Sequence, residues 1–133
     1  MCLFTTDREP KIAQEDITVY KVMRVSKVGK YAYGIPPYQD LYTYRAGLNI
    51  PSFKAETPAP KEYQYWYSVG KGYLHAYADI MPAAIKAKKL NSQGYYSMSV
   101  NEMRIPAGTP YYLGVGHEIA AAALYWPVED KNA

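Results

Sequence analysis

The chain predicts an α+β fold: a mainly antiparallel β-sheet with one principal helix, at about residues 78–90, in a single compact domain. Three observations predict it. Period-two alternation runs through Ile17–Val25 and again through Tyr95–Ile105. Helical spacing after a capping residue is clearest at Ile80–Lys89. Glycine, proline and asparagine collect where the pattern changes, at Gly34–Pro37, Pro58–Pro60, Asn91–Gly94 and Pro106–Gly108.

In order, residues 1–15 read as an irregular N-terminal segment, residues 16–127 as one α+β domain and residues 128–133 as a charged tail. The first strand is Ile17–Val25. Ile17, Val19, Lys21, Met23 and Val25 share one face, and Thr18, Tyr20, Val22 and Arg24 share the other. Both faces carry apolar groups, which predicts a central strand. Gly29 turns the chain, and Tyr31-Ala32-Tyr33 returns as a hairpin partner. Pro36 and Pro37 interrupt the sheet because proline cannot donate to a ladder. Tyr38, Leu41, Tyr42 and Arg45 have helical spacing, so this stretch reads as a short helical turn or an irregular strand. Leu48–Lys54 looks extended and is broken by Pro51. The proline-rich loop Glu56–Lys61 is too short to divide two domains. A strand resumes at Tyr63–Val69.

Asp79 can cap the helix, and Pro82 falls in its first turn, where a missing amide does little harm. Ile80, Ala84, Ile85 and Ala87 or Lys88 form the expected buried stripe. Asn91–Gly94 turns into the long strand Tyr95–Ile105. Tyr111–Leu113 starts another strand, Gly114–His117 is a tight connection, and Glu118–Trp126 reads as a closing strand although its alanines permit a helix.

Composition narrows the function classes. A length of 133 residues suits a single core. Tyrosine is the outlier, with 16 Tyr against 2 Phe and 2 Trp. A tyrosine ring covers apolar area and keeps a hydroxyl that needs a partner, which suits half-buried sheet faces and binding surfaces. The net charge of +3 is mild and its cations are scattered, so the basic stripe of a duplex-binding protein is absent. Lys86, Lys88 and Lys89 gather where the last helical turn favours cations. Cys2 is the sole cysteine and excludes an internal disulfide; it would become an N-terminal nucleophile candidate only on loss of Met1. No apolar run is long enough to span a membrane, and the first residues lack the pattern of a signal peptide. These readings predict a cytoplasmic protein.

The chemistry-bearing candidates are few. His75 and His117 stand without a close second ligand, which predicts no metal site. Gly70-Lys71-Gly72 lacks the spacing of a phosphate cradle. Glu102 and His75 remain as candidate catalytic groups. Arg24, Lys21, Tyr20, Tyr73, Tyr77 and Tyr96 remain as candidate ligand-binding residues on a tyrosine-rich sheet face.

Two resemblances follow from these residues. Asp16–Val22, Gly72–Tyr77, Ile105–Tyr112 and Glu118-Ile119-Ala120 together resemble small uncharacterised proteins of gut bacteria and their phages. That resemblance implies a mobile-element origin, with a place in the host cytoplasm. The order of motifs also looks like that of ADP-ribosyltransferases: a basic residue on an early strand (Arg24 or Lys21), a Gly-aromatic-x-Ser/His segment before a helix (Gly72–Tyr77), and a strand glutamate (Glu102) ahead of Pro106-Ala107-Gly108-Thr109. It implies NAD as cofactor, a cation on its pyrophosphate, and Glu102 beside the ribose to stabilise an oxocarbenium-like transition state. The sequence departs from that pattern at Leu74-His75-Ala76, where the family has Ser-Thr-Ser, and at Val100, where a second acid is expected.

The residues themselves favour binding without catalysis and without a cofactor. The expected partner is a nucleotide-like small molecule or a protein, held by the tyrosine-rich face near Arg24 and His75. An NAD-using transferase and a virion or structural homo-oligomer are the alternatives.

Overall fold

The computed structural model describes residues 3–5, 7, 9–28, 31–37, 42–51, 59–60, 67–69, 72–95 and 97–127. Thirteen strands and one α-helix follow in the order β1 (Leu3–Thr5), β2 (Lys11–Ile12), β3 (Ile17–Val28), β4 (Tyr31–Ile35), β5 (Tyr44–Arg45), β6 (Gly47–Asn49), β7 (Ala59–Pro60), β8 (Tyr67–Val69), β9 (Leu74–Tyr77), α1 (Ile80–Ser92), β10 (Met98–Ile105), β11 (Pro110–Leu113), β12 (Glu118–Ala121) and β13 (Leu124–Trp126) among the described residues. The fold is α+β with antiparallel pairing, as the alternation predicts.

The long strand β3 is the axis. Its first half pairs with β10 on one side, from Ile17↔Ile105 to Arg24↔Met98, and touches β9 on the other at Tyr20↔Tyr77. Its second half pairs with β4, from Arg24↔Ile35 to Val28↔Tyr31. The larger sheet runs β2-β11-β12-β9-β3-β10-β13-β6, with β4 and β5 branching from β3. The branch closes a ring. β4 pairs with β5, the chain bends at Ala46 into β6, β6 pairs with β13, and β13 pairs with β10.

The interior of this ring is the main core. Val19, Met23, Met103, Ile105, Leu124, Trp126 and Tyr44 are fully buried there. Burial of such side chains is the main favourable contribution to folding. Gly34 lies directly against Met23: a β-carbon at Gly34 would overlap Met23 Sδ, so glycine lets β4 approach without displacing that side chain. Asn49 fixes the bend that closes the ring. Its Oδ1 accepts from Arg45 N–H at 2.9 Å and from the Tyr42 hydroxyl at 3.2 Å, while its Nδ2 donates to Arg45 O at 2.8 Å and Gly47 O at 3.1 Å. Gly47 supplies the positive φ of 92° that the bend needs.

The outer face carries α1 over β3 and β10. The three-stranded sheet β1-β8-β7 joins the same face through Val69, which packs with Tyr112 and Ala120. Thr5 Oγ1 donates to Leu113 O at 2.5 Å, and β2 pairs with β11. The N-terminal segment, expected to be irregular, therefore contributes two paired strands.

The helix begins after Asp79, but its sheet-facing stripe differs from the expected one. Ala83, Ala87 and Leu90 are buried against Val22, whereas Ile80, Met81 and Ile85 are exposed. The physical reason is bulk. Tyr20, Tyr77, Met98 and Val100 already fill the surface beneath the helix, and alanines let its backbone come close. The second long strand starts at Met98 and not Tyr95. Ser97 has a left-handed φ of 65°, and the Asn91 side chain clamps Met98, accepting from its N–H at 2.9 Å and donating to its carbonyl at 3.0 Å. Glu118–Trp126 is extended as expected, but divides into β12 and β13. The expected strand at Tyr63–Val69 is described only as β8, and Tyr63 and Tyr65 lie outside the described residues.

Candidate functional site

Pairing register places each candidate residue. Glu102 stands opposite Tyr20, Tyr20 opposite Tyr77, and Tyr77 opposite Glu118, so these side chains form one row across β10, β3, β9 and β12 on the outer face. Arg24 shares that face by parity, and His75 shares it two residues before Tyr77. Sharing a face does not bring them together. Arg24 pairs with Met98, four residues along β10 from Glu102, which is roughly 13 Å of strand. The Val22–Val100 row lies between them, and Ala83, Ala87 and Leu90 of α1 pack on it. Arg24 and Glu102 are exposed on either flank of the helix, and Tyr20 and Tyr77 are half-buried beneath it.

Lys21 takes the opposite face. It is buried inside the sheet, donates from Nζ to the His75 carbonyl at 2.6 Å, and sits 5.2 Å from the Tyr44 ring centroid. Expected as a candidate ligand-binding residue, Lys21 instead has its ammonium held where a carbonyl and a ring face compensate its burial. Tyr73 is also interior in character. Its ring meets that of buried Tyr112 edge-on at 5.4 Å. Burial first, and Tyr73 second, push the Tyr112 hydroxyl up to about 12. Tyr96 lies outside the described residues.

The tyrosines that do reach the surface with a cation nearby are on the arm formed by β3, β4 and β5. The outward row Ser26–Tyr33–Arg45 crosses the three strands. Arg45 places its guanidinium carbon 5.7 Å from the Tyr33 ring centroid. Tyr31, Ala32, Tyr33, Arg45 and Ala46 line a concavity of about 400 Å³. Arg24 stands on the same outer face, one row further along, opposite Ile35. Strands β3, β4 and β5 contain no Asp or Glu, and Arg24 and Arg45 are their cations on this face, Lys21 and Lys27 falling on the other by parity. The arm's own side chains therefore bias it towards anions.

The sequence hinted at half of this. Tyr31-Ala32-Tyr33 reads from the sequence as the hairpin partner of β3, and β4 bears this out. Arg45 reads from the sequence as part of a short helical turn or an irregular strand with Tyr38, Leu41 and Tyr42; the Asn49 bend that turns it onto the sheet is a tertiary feature.

A second cluster was also missed. His117 Nδ1 is 2.7 Å from Asp79 Oδ2, and Ala78 N–H donates to the His117 carbonyl at 2.7 Å. Asp79 thus spends its carboxylate on His117 and makes no side-chain cap to the helix it precedes. His117 holds a left-handed φ of 63° after Gly116 at 75°. Both side chains are largely exposed, so the pair contributes little to stability by itself. Neighbouring Glu118 has its carboxyl pushed up by burial, partly offset by Lys86.

Among the described residues, no group of three or more His, Cys, Asp and Glu could hold a metal, and no helix is long and apolar enough to cross a membrane. No family model matches the chain, and neither a curated protein nor a solved structure matches it.

Proposed function

We propose that this protein acts by binding, and that its ligand is nucleotide-like: a planar ring joined to an anionic group. The observation that carries the reading is the Tyr33–Arg45 contact inside the concavity that Tyr31 borders. A base stacks on a tyrosine face, and a guanidinium pairs with phosphate through two parallel hydrogen bonds. The absence of acidic residues from β3, β4 and β5 supports an anion over a cation. The transferase-like alternative needs Arg24 and Glu102 in one cleft. The packing of α1 between their rows favours binding over that chemistry.

Isothermal titration calorimetry with AMP, ATP and NAD tests the reading. Binding that weakens about tenfold in Arg45→Ala is expected, since a charge-assisted pair contributes on the order of 1.5 kcal/mol. Saturable binding left unchanged by Arg45→Ala and Tyr33→Ala would place the ligand elsewhere, and no binding by any of the three compounds would overturn the proposal.

A further inference from the structure

Resting on the nucleotide-binding reading, we infer that the β3–β4–β5 arm takes single-stranded nucleic acid, with successive bases on Tyr31 and Tyr33 and the backbone along Arg24 and Arg45. Tyr31 and Tyr33 are two residues apart on β4 and point the same way. Their repeat along the strand is about 6.7 Å. That is roughly twice the 3.4 Å rise of stacked bases, so two neighbouring bases can occupy both rings only when they are unstacked from each other. A duplex cannot open its stack in this way, and a mononucleotide uses one ring alone.

The charges extend in the same sense. Arg45 flanks Tyr33 on one side through β5, and on the other side β3 sets Arg24 one row along, opposite Ile35. Arg24 and Arg45 are both exposed, as is Tyr31 at 53%. A ladder of rings bordered by cations is the arrangement that holds a single strand without reading its sequence, because every base presents a ring face. The mild net charge of +3 is compatible with this, since the cations act locally on the arm.

Fluorescence anisotropy with labelled ten-nucleotide dT and rU strands, set beside UMP and TMP titrations, tests the inference. Both strands are expected to bind at least tenfold more tightly than the mononucleotides, and Tyr31→Ala to remove about tenfold of that gain. Tyr31→Phe keeps a ring and should keep the affinity. With two cations on the backbone the plot of log K against log salt should have a slope of about −1.4, and Arg45→Ala should flatten it by about 0.7. Circular dichroism and the melting temperature of each variant show that loss of binding is not loss of fold. Mononucleotide binding with no gain for either strand overturns this inference and leaves the mononucleotide reading standing. No binding of any of the four probes overturns both. A gain in rU over dT assigns RNA, and the reverse assigns DNA.

Discussion

The two halves of β3 follow one alternating pattern in different surroundings. From Ile17 to Met23 the strand is flanked by β9 and β10, covered by α1 outside and by the ring interior inside. From Arg24 to Val28 it pairs with β4, and its outward residues Arg24, Ser26 and Val28 are exposed. The difference teaches that alternation alone does not define a core. What decides is whether a second layer covers the face. The first half stabilises the fold, and the second is free to present Tyr33 and Arg45.

This contrast can be broken by substitution. The largest effect belongs to the ring interior beside the first half. Trp126→Ala removes a fully buried ring and should cost about 3–5 kcal/mol in urea denaturation. Asn49→Leu comes next. It removes the side-chain partner of Arg45 N–H and of three carbonyls, those of Arg45, Gly47 and Leu124, and should cost about 2 kcal/mol or more. Because the same bend positions Arg45, this variant should also lose ligand affinity, which Trp126→Ala should not do while it remains folded. Gly34→Ala should cost about 1–3 kcal/mol by forcing Met23 aside. Combining it with Met23→Ala should be clearly less than additive in a double-mutant cycle.

A smaller effect is pH-dependent. Burial raises the Glu118 pKa above its ordinary value, so folding favours its protonated form. The stability linked to this group is present below the unfolded value of 4.5 and is lost as pH rises through the higher folded value. Glu118→Gln should therefore gain stability relative to the parent at about pH 7 and show no such gain at about pH 3.5, measured by chemical denaturation at both. The smallest effect lies on the arm. Tyr31→Ala should change stability by less than about 0.5 kcal/mol while removing ligand affinity. A large loss of stability would mean that the second half of β3 is core after all.

Much of the fold was legible because it depends on local chemistry. Alternation gave β3, and glycine and proline gave the turns. Asp79 marked the start of α1, although its carboxylate serves His117. What stayed hidden depends on distant partners. The choice of Ala83, Ala87 and Leu90 over Ile80 and Ile85 is set by the tyrosines and Met98 beneath the helix. The inward turn of Lys21 is legible as parity, but its anchor on the His75 carbonyl is not. The candidate site shows the same limit: Tyr31-Ala32-Tyr33 is legible as a hairpin partner of β3, whereas Arg45 reaches Tyr33 only through the Asn49 bend. The separation of Arg24 from Glu102 likewise follows from where α1 rests.

The central claim is that the outer face of the second half of β3, with β4 and β5, is the binding surface. Backbone amide shifts in 15N–1H correlation spectra, followed during titration with ATP, test it most directly. The account predicts that the shifts cluster at Ser26, Tyr31, Tyr33 and Arg45 and leave His75 and Glu102 unmoved. Shifts confined to His75, Tyr77 and Glu102 would contradict it.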